Sequence, residues 1–484
     1  MANKILVLAA AILIVPAAAL AQNGPAAIPQ GGEAQPYSGP PVNPVSPSSS
    51  QNPYAGSVPE KTATSGTLQL AFPEAVRRGL KQNMGALLSS EAQGAARGER
   101  WKQLSNQLPH FSADLSENVR QIDLATLGFN FPGIPAIVGP IGYVDARGYF
   151  SQSVFSWEQI QRTRSSTQNV RVADYTYQNA RDLVVTAVGA NYFQTIAAAA
   201  RLETAEAQVR TAQALSDQAS DRLKAGVAAS IDDLRARVEL QTRQQQVIAA
   251  RNNLSKQKLT LARIIGLPLG QEFEIAEKAQ FDSVAGLTVD EVLQRAYTNR
   301  ADFQAAEAQV RVAELARRAA TAEHYPTINI NADYGASGVN IGNSRNTYDV
   351  SGELRIPIFA GGHTHGDVLQ AEASLQQSRS QLENLRGQID QDVRNALFDL
   401  QSASDQVAVA KSNVDLAGQT LDQSQDRFKA GVTDNIEVVQ AQESVAAADE
   451  SYIESLYAYN LAKISVARSI GLVESTVKEF FKGF

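Results

Sequence analysis

"DRLKAGVAASIDDLRAR" occupies residues 221–237 and "DRFKAGVTDNIEVVQAQ" occupies residues 426–442 of this chain. Both stretches begin with Asp-Arg and continue through Lys-Ala-Gly-Val. An acidic residue, Asp232 or Glu437, follows six positions after the glycine. Glycine adopts the positive φ that ends one helix so that the next helix can begin. Each stretch therefore predicts a tight turn between two helices, and the chain contains this turn twice.

Other landmarks repeat at similar distances from the two turns. "LAFPEAVRRGLKQN" starts at Leu70 and "LTVDEVLQRAYTNR" starts at Leu287, a shift of 217 residues, whereas the turns are shifted by 205. The shift changes between Pro109 and Val154, so the longer first copy gained its extra residues there. The chain is therefore predicted to be a duplicated unit. We assign residues 67–270 to the first copy, 271–286 to a connector, 287–472 to the second copy and 473–484 to a C-terminal tail.

Residues at seven-position spacing flank both turns. The second copy carries Val393, Leu400, Val407, Val414, Leu421 and Phe428 before its turn, and Val438, Val445, Tyr452, Tyr459 and Val466 after it. The first copy carries Val188, Thr195, Leu202, Val209, Ser216 and Leu223 before its turn, and Asp233, Leu240, Val247, Leu254 and Leu261 after it. Sustained heptads predict helices that pack lengthwise as coiled coils. A helix of about 65 residues before each turn would be about 100 Å long.

Four short segments alternate apolar and polar residues and predict strands. They lie at residues 111–117, 149–157, 327–335 and 350–358. Such alternation is typical of membrane β-barrels, and it fits a soluble β-hairpin over a core equally well. Because four strands are too few to close a membrane barrel, the membrane interpretation needs several chains. The charge-free segment 127–144 contains three prolines and predicts a long outward-facing loop.

The N-terminus reads as an export signal followed by a linker. Lys4 precedes a short apolar stretch, and Ala19-Leu20-Ala21 forms a small-residue cleavage site, so we assign a signal peptide to residues 1–21. A membrane anchor is the weaker alternative because the apolar stretch is too short to span a bilayer. Residues 22–66 are rich in Pro, Gly and Ser and predict a disordered linker.

Composition excludes several classes of function. The net charge of -7 argues against nucleic-acid binding, and the absence of cysteine excludes thiol catalysis, cysteine-ligated metals and a lipoprotein anchor. No nucleophile elbow or phosphate-binding loop is present, so we predict neither enzymatic activity nor a cofactor. His363 and His365 in "GGHTHGD" have the spacing of a strand chelate, and they are weak candidates for a metal site.

The ordered landmarks between Thr67 and Leu472 resemble those of the TolC-like outer-membrane efflux proteins. The resemblance rests on the duplicated unit, the paired "RxKAGV" turns and "IPIFAGG" at residues 356–362. It implies an α+β membrane protein. Three chains would form a twelve-stranded β-barrel in outer-membrane lipid of a Gram-negative bacterium, continued by a periplasmic α-helical barrel.

The resemblance also implies a function and partners. The homotrimer would be the exit channel of a tripartite efflux pump or of a type I secretion system, and it would conduct substrates passively. Its partners would be a periplasmic adaptor and an inner-membrane transporter of the resistance-nodulation-division (RND) or ABC type. A periplasmic or cell-surface coiled-coil scaffold is the alternative, but it accounts for the long helices and not for the paired hairpins.

The resemblance places candidate site residues at the turns. The two acidic positions of the family's pore constriction fall on Glu437 and on Gln440, where the acidic residue is lost; Asp232 is the first-copy counterpart of Glu437. These carboxylates could instead only complement the N-terminus of a helix. The closing tether of the family falls on Thr433 and Phe428, which do not keep its chemistry.

The turns themselves are the expected docking surface for the adaptor. The candidate residues are Arg222, Gly226, Val227, Arg427, Gly431 and Val432. Lys224 and Lys429 lie in the last helical turn, where the helix dipole favours cations. Ser230 and Asn435 are predicted to cap the helices that return from the turns.

Overall fold

The structure of this chain is a computed structural model. It describes residues 52–60, 66–124, 126, 128, 133, 135–227, 229–277, 281, 288–433 and 435–474. The predicted signal peptide, residues 22–51 and 61–65 of the predicted linker, and residues 475–484 of the predicted tail lie outside the described residues.

From α1 in the first copy and α5 in the second, the two copies contain the same elements in the same order. The first copy contains β1 (Leu68–Leu70), α1 (Phe72–Gln82), α2 (Met84–Ser105), β2 (His110–Asp123), β3 (Ile137–Ser156), α3 (Trp157–Lys224) and α4 (Ser230–Ile265). The chain continues through β4 (Phe273–Ile275), α5 (Val289–Asn299), α6 (Ala301–Ala322), β5 (Thr327–Gly338), β6 (Arg345–Arg355), α7 (His363–Lys429) and α8 (Asn435–Ile470). β1 and β4 pair in parallel, so the connector, which contains β4, lies beside the start of the first copy.

The long helices agree with the heptad prediction. α3 has 68 residues and α7 has 67, and the returning helices α4 and α8 have 36 each. None of the predicted heptad positions is exposed, and Val188, Val393 and Val466 are fully buried. α3 is long and apolar enough to cross a membrane, but 56% of its apolar stretch is buried inside the protein. That stretch is therefore part of the helical core.

The four predicted strands form one antiparallel sheet in the order β2-β3-β5-β6. The register aligns Phe111, Phe150, Ala332 and Val350 in one row across the sheet. Because successive residues of a strand point to opposite faces, this row and the rows two residues away form one apolar face. Leu115 and Tyr348 on that face are 80% and 76% exposed, so nothing in the described chain covers it.

The opposite face of the sheet is polar. Arg147 on β3 donates to Asp333 on β5 and, at 2.9 Å, to the hydroxyl of Thr347 on β6. Asp145 lies 3.5 Å from the same guanidinium. Pairing charges across neighbouring strands stabilises the register. One face of the sheet is therefore suited to lipid and the other to water.

Several strand boundaries differ from the sequence prediction, and two of these differences involve prolines. The predicted loop at 127–144 is shorter, because residues 137–144 belong to β3 and pair with β2; residues 127, 129–132 and 134 lie outside the described residues. Proline cannot donate to a ladder, and the register of β2 and β3 shifts beside Pro140. β6 ends at Arg355, before Ile356 and Pro357, where the proline stops the pairing.

The described end of the predicted linker is ordered, which corrects the prediction of disorder for residues 52–60. The backbone N–H of Val58 donates to the Gln82 carbonyl at 2.9 Å, and the N–H of Met84 donates to the Gly56 carbonyl at 2.9 Å. The Asn83 side chain donates to the Tyr54 carbonyl at 2.8 Å. The break between α1 and α2 exposes backbone groups that this segment satisfies, which composition alone does not reveal.

A partly buried ionic cluster joins the two copies. Arg468 on α8 lies 3.9 Å from Asp182 on α3 and 3.8 Å from Asp302 on α6. Arg300 pairs with Asp302 at 2.7 Å and with Asp392 on α7 at 3.1 Å. Burial raises the pKa of Asp182 to about 6, against the opposing effect of Arg468. One carboxyl of the cluster therefore titrates close to neutral pH.

The raised pKa of Asp182 predicts a pH-dependent stability. Between the unfolded pKa of 3.8 and the folded value of about 6, the folded chain binds the extra proton. Asp182 therefore contributes most stability below pH 3.8, and this contribution is lost as the pH rises through 6. Going from pH 5 to pH 7.5 should remove about 1.4 kcal/mol through this group. Urea unfolding should show a smaller pH dependence in Asp182→Asn, but not in the exposed control Asp415→Asn; equal slopes in all three proteins would contradict the assignment.

Candidate functional site

Both Gly-Val turns have the same hydrogen-bonded geometry. Gly226 and Gly431 have φ values of 75° and 74°, in the left-handed region. The N–H of Val227 donates to the Arg222 carbonyl and the N–H of Val432 donates to the Arg427 carbonyl, each at 3.0 Å. This six-to-one bond, with glycine just beyond the helix end, is the Schellman motif. The turn prediction is confirmed in both copies.

The returning helices are not capped as predicted. The N-cap position of α4 is Ala229, which makes no side-chain cap, and Ser230 is already the first helical residue. α8 begins at Asn435, whose side chain donates to the Asp232 carbonyl of the other hairpin at 2.8 Å. Asn435 is fully buried between the hairpins, so its amide joins them instead of capping its own helix.

Arg222 also connects the two hairpins. Its guanidinium donates to the carbonyls of Phe428 and Lys429 at 3.0 Å each, at the C-terminus of α7. The guanidinium carbon lies 4.3 Å from the centre of the Phe428 ring. A cation at a helix C-terminus and over an aromatic face is favourable on both counts. Arg222 is half-buried, and its charge is engaged within the chain.

Phe428 anchors a small apolar core beneath the tips. It is buried with Leu215 and Ala219 of α3, Ala236 of α4 and Val438 of α8, so all four long helices contribute to this core. Phe428 was identified from the sequence as a departure from the family's tether, and its heptad position predicted burial. The contact with Arg222 had no sequence signal, because it depends on how the two hairpins meet.

The counterpart of Arg222 makes a different contact. Arg427 lies 3.2 Å from Glu437, whose second carboxylate oxygen accepts a hydrogen bond from Thr433 at 2.6 Å. Asp232, the counterpart of Glu437, instead lies 3.8 Å from Arg235. Glu437 is half-buried and Gln440, one turn further along α8, is exposed. Residues at equivalent positions of the two copies therefore contact different partners.

The remaining tip residues are open to solvent. Val227 and Val432 are 73% and 69% exposed. A Cβ added to Gly226 or Gly431 would meet nothing within 4 Å. We call Gly226, Val227, Gly431 and Val432 the tip surface. It presents two apolar side chains on two turns of equal geometry.

His363 and His365, the weak candidates for a metal site, do not have the geometry of a strand chelate. Both histidines lie in the first turn of α7, where residues two apart do not face each other. His363 instead lies 2.8 Å from Asp367, and Glu323 joins them, with one ligand atom from each residue within 4.8 Å of the others. These three side chains are the group in the described chain that could hold a metal ion. Arg162, at 3.6 Å, already neutralises Glu323, and the His363 side chain is 75% exposed.

Comparison with known proteins finds a matching family model, related sequences and similar structures. The family model described as "Outer membrane efflux protein" matches residues 143–267 and 292–472, more than half of the chain. Outer membrane protein TolC of Escherichia coli K12 is 23% identical over 354 residues, covering 68% of this chain and 72% of TolC. Alkaline protease secretion protein AprF of Pseudomonas aeruginosa is 23% identical over 322 residues, covering 64% of this chain and 65% of AprF. The CmeC outer membrane channel of Campylobacter jejuni superposes with a TM-score of 0.74 at 16% identity, covering 89% of this chain and 94% of CmeC.

Proposed function

We infer the role of this chain from the fact that it belongs to the outer membrane efflux protein family. It is an exit channel in the outer membrane of a Gram-negative bacterium, and it serves an efflux or secretion system. Its periplasmic part is helical. The observation that carries this conclusion is that a sheet with one exposed apolar face occurs together with two helical hairpins whose longer helices, α3 and α7, are each about 100 Å long.

We propose that three chains close the sheet into one barrel. β2 and β6 each pair on one side only within the described chain, so their outer backbone groups need partners in the membrane. The four strands alternate in direction, so β6 of one chain and β2 of the next would also run antiparallel. Three chains would then supply twelve strands with lipid-facing apolar residues outside and the polar face around water.

The tip surface would be the docking site for a periplasmic adaptor. The valines of the two turns are exposed, and their glycines leave room for a close approach of another backbone. Arg222 would stabilise the relative position of the two turns, because its guanidinium joins the two hairpins. An RND or ABC transporter would deliver cargo through the adaptor. The duct itself would conduct passively, without enzymatic activity and without a cofactor.

Glu437 would line the constriction at the tips. Replacing Glu437 by Gln keeps an acceptor for Thr433 but removes the charge, so cation selectivity in planar bilayers should fall. Gln440→Glu restores an acidic residue at the second family position and should raise the selectivity. If neither substitution changes the ratio of cation to anion permeability, Glu437 only complements the start of α8.

The scaffold alternative is not favoured, because a scaffold has no need of a sheet with an exposed apolar face. Purified protein reconstituted in bilayers should conduct ions as a channel, whereas a scaffold would not. The cargo is a separate question. AprF is named for the secretion of a protease and other relatives for pyoverdine export and cation efflux, so family membership does not select a cargo.

A further inference from the structure

Glu323, His363 and Asp367 form a group at the base of the second pair of strands. Glu323 follows the last residue of α6, shortly before β5 begins, and His363 and Asp367 lie in the first two turns of α7, after β6. One oxygen of each carboxylate and one imidazole nitrogen all lie within 4.8 Å of one another. A ligand held by this group would therefore join the two ends of the segment that contains β5 and β6.

The three side chains are accessible to solvent. Those of Glu323 and Asp367 are 18% and 35% exposed, and that of His363 is 75% exposed. His363 Nδ1 lies 2.8 Å from Asp367 Oδ2. These two residues are four apart on α7, a spacing that places them on one face of the helix and at which two helical side chains can bind one zinc ion. His365 is two positions from His363 and therefore lies on another face.

Negative charge is in excess around this group. Glu158 on α3 adds a third carboxylate, and the guanidinium of Arg162 is shared between two of the three, at 2.6 Å from Glu158 and 3.6 Å from Glu323. Burial raises the pKa of Glu323, and the carboxylates of Asp367 and Glu158 raise it further. With His363 neutral, one guanidinium against three carboxylates leaves two negative charges, which a divalent cation would balance.

The equivalent positions of the first copy carry a complete ion pair. A shift of 205 residues, the same as that between the two turns, relates His363 and Asp367 to Glu158 and Arg162. Arg162 Nε donates to Glu158 Oε1 at 2.6 Å, four residues apart on α3. In the second copy, Asp367 stands at the position of that arginine. The second copy therefore has a second acidic ligand where the first copy has the cation of the pair.

One imidazole and two carboxylates form a ligand set for a divalent transition metal. Imidazole nitrogen suits Zn²⁺, Ni²⁺ and Cu²⁺, whereas Ca²⁺ and Mg²⁺ prefer oxygen ligands. Zinc lies about 2.0–2.2 Å from its nitrogen and oxygen ligands, so two of its ligands are at most about 4.4 Å apart. The longest separation in the group would have to shorten by only about 0.4 Å. The side chains are thus close to the geometry that an ion requires.

We propose that Glu323, His363 and Asp367 bind a divalent transition-metal ion such as Zn²⁺. Each carboxylate would supply one oxygen, and His363 would supply Nδ1 in place of its present contact with Asp367. The ion would link the end of α6 to the start of α7 and so close the base of the β5–β6 hairpin. The site depends neither on the proposed closure of the barrel nor on the cargo.

Titration of the purified, assembled protein with Zn²⁺ tests the site. The protein carries no histidine tag and is first freed of metal with a chelator that is then removed. Calorimetry should show one ion per chain. His363→Ala, Asp367→Asn and Glu323→Gln should each weaken binding about tenfold or more, because even residues that only orient a metal ligand contribute about 10–100-fold to affinity. Zn²⁺ should also raise the midpoint of urea unfolding more in the wild type than in His363→Ala.

His365→Ala is the matched control, because it removes an exposed histidine from the first turn of α7 and should leave the affinity unchanged. Arg162→Gln removes a competing cation and should tighten binding severalfold. Helical circular dichroism and the assembled size on a column verify that each variant has folded. The proposal is overturned if the wild type binds no Zn²⁺, if any of the three ligand substitutions leaves the affinity unchanged, if His365→Ala weakens binding as much as His363→Ala, or if Arg162→Gln weakens binding.

Discussion

The double substitution Val227→Asp and Val432→Asp should abolish export by this protein while leaving its fold and assembly intact. Both valines are more than two-thirds exposed, so an aspartate at either position buries no charge and breaks no packing. The backbone bonds that hold the turns involve their N–H groups, which aspartate keeps. A partner that docks on the tip surface would, however, have to desolvate two carboxylates on every chain.

The measurement is export by cells that rely on this chain alone, compared with cells that lack it. We expect the double variant to match the cells without the protein. The control substitutions are Val238→Asp and Val409→Asp, which place the same charge at valines 64% and 61% exposed on the long helices. These controls should export normally. Normal export by the tip variant would show that docking does not use this surface.

Replacing Gly471 by Ala should be among the most destabilising single-methyl additions in the chain. Gly471 ends α8 with a φ of 77°, and a Cβ there would lie 2.7 Å from the backbone nitrogen and Cα of Arg300. The left-handed conformation costs alanine about 1–2 kcal/mol. The forced movement of backbone in a packed site adds about 1–3 kcal/mol more. The midpoint of urea unfolding should fall accordingly.

Substitutions at two other glycines distinguish the cost of the left-handed backbone from the cost of the steric clash. Gly431 has nearly the same φ, 74°, but its Cβ would meet nothing within 4 Å, so Gly431→Ala should show only the backbone cost. Gly266 is the first-copy counterpart of Gly471, and its Cβ would lie 2.4 Å from the Cβ of Gln82, which is fixed to the backbone of α1. We therefore expect Gly471→Ala and Gly266→Ala both to be clearly more destabilised than Gly431→Ala. A loss at Gly431 as large as at Gly471 would contradict the packing argument.

Much of this architecture could be predicted from the sequence, because the signals are local and periodic. The heptads through Val393 and Val466 depend on helical spacing alone, and the alternation around Ile330 depends on strand spacing alone. The duplication supports these assignments, because the same pattern recurs in both copies. The turns at Gly226 and Gly431 followed from the conformational freedom of one residue type.

Contacts between the hairpins had no comparable signal. Arg222 and Arg427 occupy equivalent positions in the two copies, yet one binds the end of α7 and the other binds Glu437. The residue type of Asn435 predicts a cap, but its side chain donates a hydrogen bond to the neighbouring hairpin instead. Tyr54 lies in a segment whose composition indicates disorder, and its carbonyl accepts a hydrogen bond from the Asn83 side chain, which only the fold brings close to it. Such pairings depend on tertiary geometry, and single-residue propensities do not encode it.

The closure of the sheet by three chains is the central claim, and the absence of cysteine makes it directly testable. Cysteine pairs would combine Ser112 or Ser116 on β2 with Thr347 or Ser351 on β6, all on the polar face. Cross-strand neighbours are close enough for a disulfide or a short bismaleimide to join them. Oxidation or cross-linking in outer membranes should give covalent dimers and trimers with nothing larger, while each single-cysteine control should stop at dimers or below. Monomers alone for every pair, or a ladder that extends past three chains, would contradict the closed trimer.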